Sequence, residues 1–164
     1  MKQILMTCIA MIPLFLTNCK KDSKDNSIAN TYSTSINIAY KDNLGNDLLD
    51  TFKQQHFSVA DFHIYYLING KKTEVNNPVS NWSKAIYKPS FDSLNEYLLR
   101  VELYENSDVN IDTTLLKLNS TTIDTITCTY FRTTGLTVIA KVWYNGVLKW
   151  DFANNLPPII TIIK

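Results

Sequence analysis

Two stretches of this chain alternate apolar and polar residues and then end at an Asn-Gly dipeptide. The longer one runs from Leu136 through Val142 to Tyr144, and Asn145 and Gly146 follow directly. Alternation with a period of two is typical of a half-buried strand. Asn-Gly supplies the two positive φ values that a type I′ turn requires. The pattern therefore predicts a β-hairpin, with the residues after the turn as the return strand.

The same reasoning predicts a second hairpin and several more strands. Phe62, Ile64 and Tyr66 alternate before Asn69 and Gly70, and the chain then turns back. Further strands are predicted at residues 36–40, 84–87, 111–118, 123–131 and 159–163. About eight or nine short strands separated by turns are typical of an all-β domain. We expect an antiparallel β-sandwich of immunoglobulin-like type, with a small β-barrel as the second choice.

The segment at 91–105 fits both a helix and a strand. Ser93 and Glu96 have the spacing of a helix capping box, and apolar residues follow at helical intervals. Tyr97 and Val101 also belong to an alternating series. We expect a strand, because the neighbouring segments are strands, and the helix stays open as the alternative.

The first residues have the order of an export signal. Lys2 provides a positive charge, and residues 4–16 form an apolar segment that Pro13 interrupts. A helix needs about 20 apolar residues to cross a bilayer. The segment is therefore too short for a permanent span and is predicted to be the core of a signal peptide.

The residues that close this segment are Leu16, Thr17, Asn18 and Cys19. They resemble the lipobox of bacterial lipoproteins, in which an apolar and a small residue precede the lipidated cysteine. Asn18 stands where that pattern has Gly, Ala or Ser. The charged residues 20–27 resemble the leader of Bacteroidota-type lipoproteins. The resemblance implies a lipid on Cys19 and a place in the cell envelope, at the outer membrane, on its periplasmic or surface face. An ordinary cleaved secretory signal is the alternative.

These features divide the chain into three parts. Residues 1–18 are the predicted signal peptide, 19–33 a flexible tether and 34–164 a single β-sandwich domain. The whole chain has 16 Lys and Arg against 15 Asp and Glu, and the basic residues do not cluster outside the tether. Nucleic acid is not an expected partner, because proteins bind it through clustered Lys and Arg.

The cysteines predict a domain without a disulfide. Cys8 is removed with the signal and Cys19 carries lipid, which leaves Cys128 alone. Cys128 alternates with Ile126 and Tyr130, so we expect a small core residue. A catalytic thiol with a histidine partner is the alternative.

Oxygen-bearing side chains crowd around Gly45. They are Asp42, Asn43, Asn46, Asp47 and Asp50, and all but Asn43 are candidate ligands. Calcium loops supply oxygens in this way, but here the glycine follows Asp42 by three positions instead of five, and the closing glutamate is missing. We expect a connection whose side chains provide turn geometry, and we keep the four residues as candidate metal ligands.

The chain is rich in aromatic residues, with nine Tyr, seven Phe and three Trp. Tyr65 with His63, and Trp143 with Lys141, lie opposite the more apolar rows of their predicted strands. Exposed aromatic rings stack on sugars, so Tyr65 and Trp143 are the candidate ligand-binding residues. The alternative is that these rings belong to a core or to covered edges.

The sequence carries none of the common catalytic motifs. Asp61, Glu102 and Asp124 have no spacing that marks a catalytic carboxylate pair, and His56 and His63 remain an alternative metal pair. We expect a small lipid-anchored module that binds or scaffolds at the envelope without catalysis or a cofactor. Its expected partner is an envelope protein or a glycan. A glycan-binding accessory protein and an enzyme with an unrecognised site are the two alternatives.

Substitution Cys19→Ala should abolish lipid attachment, because the acyl chains have no other acceptor in the lipobox. Metabolic labelling with a palmitate analogue should mark the natural chain and leave the variant unmarked and mislocalised. Label that survives the substitution would disprove the lipid site.

Overall fold

The computed structural model describes residues 31–75, 84–87, 96–153 and 157–164, and nearly all of their regular structure is β-strand. The strands are β1 Thr31–Ser33, β2 Ser35–Lys41, β3 His63–Ile68, β4 Lys71–Glu74, β5 Lys84–Tyr87, β6 Leu98–Glu102, β7 Asp112–Lys117, β8 Ile123–Thr133, β9 Leu136–Tyr144, β10 Val147–Asp151 and β11 Ile159–Ile163. A single 3₁₀ turn at Val59–Asp61 is the helical element of this described part.

The strands form two sheets that pack against each other. Sheet A has the order β1-β9-β8-β7-β3-β4, with β10 also paired to β9, and sheet B has the order β11-β2-β6-β5. The predicted all-β sandwich is confirmed, and the described strands do not close into the barrel that was the second choice. Two pairings are parallel, β1 with β9 and β11 with β2, and the others are antiparallel.

Both predicted hairpins are present with the expected turn geometry. Asn69 and Gly70 have φ values of 51° and 74°, and they connect β3 to β4. Asn145 and Gly146 have φ values of 49° and 80°, and they connect β9 to β10. Asn and Gly adopt this left-handed region more readily than other residues. The dipeptides therefore fix the register of both hairpins.

The ambiguous segment forms a strand where the structure describes it. Leu98–Glu102 is β6, which lies between β2 and β5 in sheet B. Leu99 and Val101 face the core, and both are fully buried. The capping-box residue Ser93 lies outside the described residues.

The described domain begins earlier than predicted. Thr31–Ser33, the last three residues of the predicted tether, form β1 and pair in parallel with β9. The Thr31 N–H also donates to the Gly135 carbonyl at 2.7 Å. Short polar strands of this kind carry no apolar alternation, so the pattern gave no sign of β1. Residues 19–30 of the predicted tether, and residues 1–18, lie outside the described residues.

The core lies between the sheets and collects the apolar faces of both. Its large, fully buried side chains include Tyr40, Phe62, Ile36, Ile38, Leu49, Leu99, Leu116, Leu118 and Ile126. Burying one such side chain contributes about 1.5–3 kcal/mol. The predicted core position of Cys128 is also confirmed, because its side chain is fully buried in this cluster.

A buried polar network connects the two sheets at Asp124. The Tyr144 hydroxyl donates to the Asp124 carboxylate at 2.6 Å and lies 2.9 Å from the Tyr40 hydroxyl, which belongs to sheet B. Lys164, just after β11, donates to both Asp124 oxygens at 2.7 and 2.8 Å. Asn145 donates to the same carboxylate at 2.7 Å. The carboxylate in sheet A is thereby bonded to side chains of both sheets.

The network changes the acidity of Asp124. Burial works against the charged form, but hydrogen bonds from Lys164, Tyr144 and Asn145 outweigh it, so the pKa of Asp124 lies below its ordinary value of 3.8. Because the pKa of the folded state is the lower one, the stabilisation is complete above about pH 4 and is lost as the pH falls through the folded value.

Substitution Lys164→Ala should lower the free energy of unfolding at pH 7 by about 2 kcal/mol, because it removes one charged partner of a buried carboxylate. It should also flatten the loss of stability below about pH 4. Urea unfolding at a series of pH values measures both effects. The control is Lys149→Ala, on an exposed residue of β10, which should change stability by less than about 0.5 kcal/mol. Equal effects of the two substitutions would contradict the role of the network.

Candidate functional site

The outward side chains of sheet A form one broad surface, which we call the outer face. Its members alternate with buried neighbours such as Ile64, Leu116, Ile126 and Val142. The outer face includes Tyr65, Leu67, Leu115, Ile123, Thr127, Trp143 and Leu148, and the same pairings place Lys72, Glu74, Lys117 and Lys141 on it. Leu67, Ile123 and Leu148 are 37%, 49% and 47% exposed. This surface therefore combines partly exposed apolar side chains and threonines with charged side chains.

Both candidate ligand-binding residues lie on the outer face. Tyr65 pairs with Leu115 across β3 and β7, and Trp143 pairs with Thr127 across β9 and β8. Three strand spacings, about 14 Å, separate β3 from β9. The structure thus places Tyr65 and Trp143 on one surface, but with Leu115 and Thr127 between them. They do not form one continuous aromatic platform.

The ring of Tyr65 already has charged and aromatic neighbours. The Lys72 ammonium lies 3.9 Å from the ring centroid, in the range of a cation–π contact. The His63 ring is nearly parallel to it, with centroids 6.2 Å apart. His63 Nδ1 in turn lies 2.6 Å from the Glu74 carboxylate. A ligand that stacked on Tyr65 would have to displace Lys72 from that face of the ring.

Trp143 has a different environment. It is partly exposed, with Thr127 beside it on β8 and Leu148 beside it on β10. Lys141, two residues earlier on the same strand face, forms an ion pair with Asp151 at 3.0 Å. A partly exposed indole between a methyl-bearing hydroxyl side chain and a leucine is suited to apolar contact with a partner.

The carboxylate of Asp42 binds its own loop. It accepts hydrogen bonds from the Leu44 N–H, the Asn46 N–H and the Asn46 side-chain amide at 2.7–2.8 Å. These bonds from Asn46 lower the pKa of Asp42. Gly45 follows with φ of 83°, as a tight turn requires. The oxygens of Asp42 and the amide of Asn46 therefore serve turn geometry.

The other two candidate metal ligands also bond to backbone groups. Asp47 accepts from the Leu49 N–H at 2.8 Å and from the Tyr97 N–H at 2.7 Å. Asp50 accepts from the Phe52 N–H at 3.1 Å. In the described ranges no three His, Cys, Asp or Glu side chains come together as metal ligands would. The loop thus connects β2 to β3, and Asp47 bonds it to the residue just before β6.

The two histidines have different partners. His56 Nδ1 lies 2.7 Å from the Lys53 carbonyl, in the loop before β3. His63 is on β3 and contacts Glu74. The carboxylates considered for catalysis are also separate, since Glu102 accepts from Thr34 and Asp124 belongs to the buried network. Asp61 is exposed at the end of the 3₁₀ turn.

Cys128 is buried and poorly suited to act as a nucleophile. Burial raises its pKa to about 12, whereas a reactive cysteine needs a lowered value. Its sulfur lies 3.9 Å from the Tyr104 carbonyl and 4.0 Å from the Asp112 carbonyl. Its hydrogen-bonding neighbours are these two backbone oxygens and the Tyr130 hydroxyl, and the thiol is held in its protonated form.

An ion cluster beside Cys128 was not anticipated from the sequence. Arg132 Nε donates to Glu105 at 2.9 Å, and its Nη2 lies 3.5 Å from Asp112. Asp112 is only 2% exposed, and this burial raises its pKa above the ordinary value. One of its oxygens has no partner among the described residues. These residues lie on strands and loops far apart in sequence, so no local pattern connects them.

A small apolar cleft also follows from the arrangement of the strands. β1 and β10 pair with different halves of the same edge of β9. The cleft holds about 70 Å³ and is lined by Ser33, Val138, Ile139, Trp150, Phe152 and Pro158. This volume admits little more than a methyl group or two. The alternation of single strands could not have predicted it, because it depends on two strands sharing one edge.

Comparison with protein-family models, with curated proteins and with solved structures finds no match to this chain. Among the residues described here, none of the helical structure is long and apolar enough to cross a membrane.

Cys128 should resist alkylation in the folded protein at pH 8, because its raised pKa keeps the thiol protonated and its side chain is buried. Iodoacetamide treatment followed by peptide mapping should find modification at this residue only after denaturation. Rapid modification of the native protein would contradict the structural role and would revive the catalytic alternative.

Proposed function

We propose that the protein is a lipid-anchored module of the cell envelope that binds an envelope protein through the outer face and has no catalytic activity. The observation that carries the proposal is the outer face itself, with its partly exposed Trp143, Leu67 and Leu148. Protein interfaces are enriched in aromatic side chains and depleted in charge at their centre. In the middle of this face Leu115 and Thr127 carry no charge, and Trp143 lies beside Thr127 on β9.

The shape of the outer face favours a macromolecule over a small ligand. Sheet A presents six strands from β4 to β10, which span about 24 Å at the usual strand spacing. A standard protein interface needs about 800 Å² from each partner, and a surface of this width offers it. Small-molecule sites are concave, whereas the cleft at Trp150 holds only about 70 Å³.

The non-catalytic part of the proposal is supported by the bonds of the reactive groups. Asp42 and Asp47 accept backbone hydrogen bonds, and Asp124 is held by Lys164 and its neighbours. Cys128 is buried with a raised pKa. These groups are engaged in stabilising the fold, where a catalytic group would be open to a substrate.

The anchor rests on the resemblance of residues 16–19 to a lipobox. Two or three acyl chains on Cys19 contribute about 0.8 kcal/mol for each buried methylene, which makes the attachment effectively permanent. A domain held at the membrane in this way meets partners within the same envelope. This supports an envelope protein as the partner.

A glycan is the second candidate partner. The observation that favours it is the partly exposed indole of Trp143, with the hydroxyl of Thr127 beside it. Sugars stack on such rings and accept or donate hydrogen bonds at their rim.

A photoreactive residue in place of Thr127, at the centre of the outer face, should form a covalent adduct with a partner protein in intact cells that make the full chain. The matched control carries the same residue in place of Thr51, which is exposed in the loop after Asp50 and should give no adduct. An adduct whose added mass is removed by glycosidases and contains no partner peptide would assign the glycan instead. Equal products at both positions, or none, would contradict a role for this face.

A further inference from the structure

β11 leaves one side without a partner strand in the described part of the chain. It is the terminal strand of sheet B and pairs only with β2. Its five residues are Ile-Ile-Thr-Ile-Ile, which contain neither charge nor proline. Strand edges with exposed backbone groups pair readily with another chain, and proteins usually protect them with charges, prolines or short length.

The register with β2 determines which backbone groups of β11 face outward. The Asn37 N–H donates to the Pro158 carbonyl at 2.9 Å, and the Lys164 N–H donates to the Lys41 carbonyl at 2.8 Å. In a parallel pair, every second residue of a strand directs its backbone N–H and C=O groups toward the partner strand. Ile160 and Ile162 therefore bond to β2.

The backbone N–H and C=O groups of Ile159, Thr161 and Ile163 consequently point away from sheet B. The Ile159 N–H is already bonded to the Pro157 carbonyl at 2.9 Å. The carbonyl of Ile159 and both groups of Thr161 and Ile163 have no backbone partner among the described residues. They form an open row of donors and acceptors.

We propose that a second copy of this chain pairs with β11 in antiparallel fashion, with Thr161 of both copies on a two-fold axis. The sequence of β11 is the same in both directions, so this register places Ile159 opposite Ile163 of the second copy, and Ile160 opposite Ile162. The outward-facing residues of one copy then meet the outward-facing residues of the other. An isologous pair of this kind closes as a dimer.

The pairing satisfies the free backbone groups except the Ile163 carbonyl, whose counterpart, the Ile159 N–H, is already bonded to Pro157. The two Thr161 residues exchange two hydrogen bonds, and each Ile163 N–H donates to the carbonyl of the opposite Ile159. Ile160 and Ile162 are 2% and 5% exposed, so their side chains keep facing the core of their own copy. Ile163, which is 54% exposed, gains an apolar neighbour.

Charge also favours the second copy as the occupant of this edge. β11 has no charged side chain, so pairing with itself brings no like charges together. β4, an edge strand of sheet A, differs from β11 in charge. Its four exposed residues include Lys71, Lys72 and Glu74. Charged side chains on an edge strand oppose its pairing with other chains. Of these two edges, β11 is the uncharged one.

Substitution Thr161→Cys in the full chain should produce a disulfide-linked dimer when cells are treated with a mild oxidant. Directly opposed residues of a hydrogen-bonded antiparallel pair have Cα atoms about 5.5 Å apart, within the range of a disulfide. Non-reducing electrophoresis should show at least about five times more dimer than the unsubstituted chain, whose own cysteines set the background.

Two matched controls define the edge and the register. Thr73→Cys places the thiol on β4, an exposed edge strand of sheet A. Ile163→Cys places it on β11, where the two copies of residue 163 would lie about 14 Å apart, too far for a disulfide. Both controls should remain at background. Dimer yields equal to that of Thr161→Cys would overturn the proposal.

A double variant tests the same register by a second route. When Ile159→Cys and Ile163→Cys are combined, the thiol at position 159 of one copy lies opposite the thiol at position 163 of the other. A disulfide-linked dimer should therefore form. Adding Thr161→Lys places two ammonium groups on the axis and should reduce the dimer at least fivefold, while the thermal midpoint of unfolding stays unchanged. Persistent dimer, or a cross-linked product of another mass that shows a different strand on this edge, would refute self-pairing.

Discussion

Burial of one face of each sheet against the other holds this protein together. The described residues contain one free cysteine and no disulfide to assist it. The strand β2 shows how strict the requirement is, since Ile36, Ile38 and Tyr40 are all fully buried. A shift of one residue along β2 would move all three side chains to the opposite face of its sheet. The alternation of apolar residues is therefore the condition on which the positions of the loops, the outer face and the edges depend.

The network at Asp124 adds direction to this non-directional burial. Apolar faces tolerate many relative positions, but the Tyr40 and Tyr144 hydroxyls meet only when the sheets are aligned. Lys164 bonds to the same carboxylate from beyond β11, so the network also fixes the last strand of sheet B. Asp112 differs, because one of its oxygens has no described partner and burial raises its pKa. The bonds of Asp124 recover the cost of burying a charge, whereas those of Asp112 recover only part of it.

The fold could be predicted from the sequence where the information is local. The Asn-Gly turns and the alternation around Tyr66 and Tyr144 placed two hairpins correctly, because turn geometry and strand period are properties of a few adjacent residues. Alternation has no direction, so it could not show that β1 and β11 pair in parallel. Alternation placed Tyr65 and Trp143 opposite the more apolar rows of their strands, but it left open which side of each strand is covered. The three strand spacings between the two residues could not be predicted at all. That separation depends on the pairing of β3 with β7, strands that are not consecutive.

The outer face and the β11 edge use different parts of the chain for recognition. Contacts on the outer face are made by side chains such as Thr127 and Trp143 of sheet A, whose strands have partner strands on both sides. Contacts at β11 are made by the backbone of Thr161 in sheet B, where the side chains contribute mainly by carrying no charge. A change of side chain on the outer face therefore leaves the hydrogen-bonding row of β11 intact. Because the two surfaces belong to opposite sheets, a dimer formed through β11 would present two outer faces, and a partner with repeated sites would bind it more tightly than a monomer.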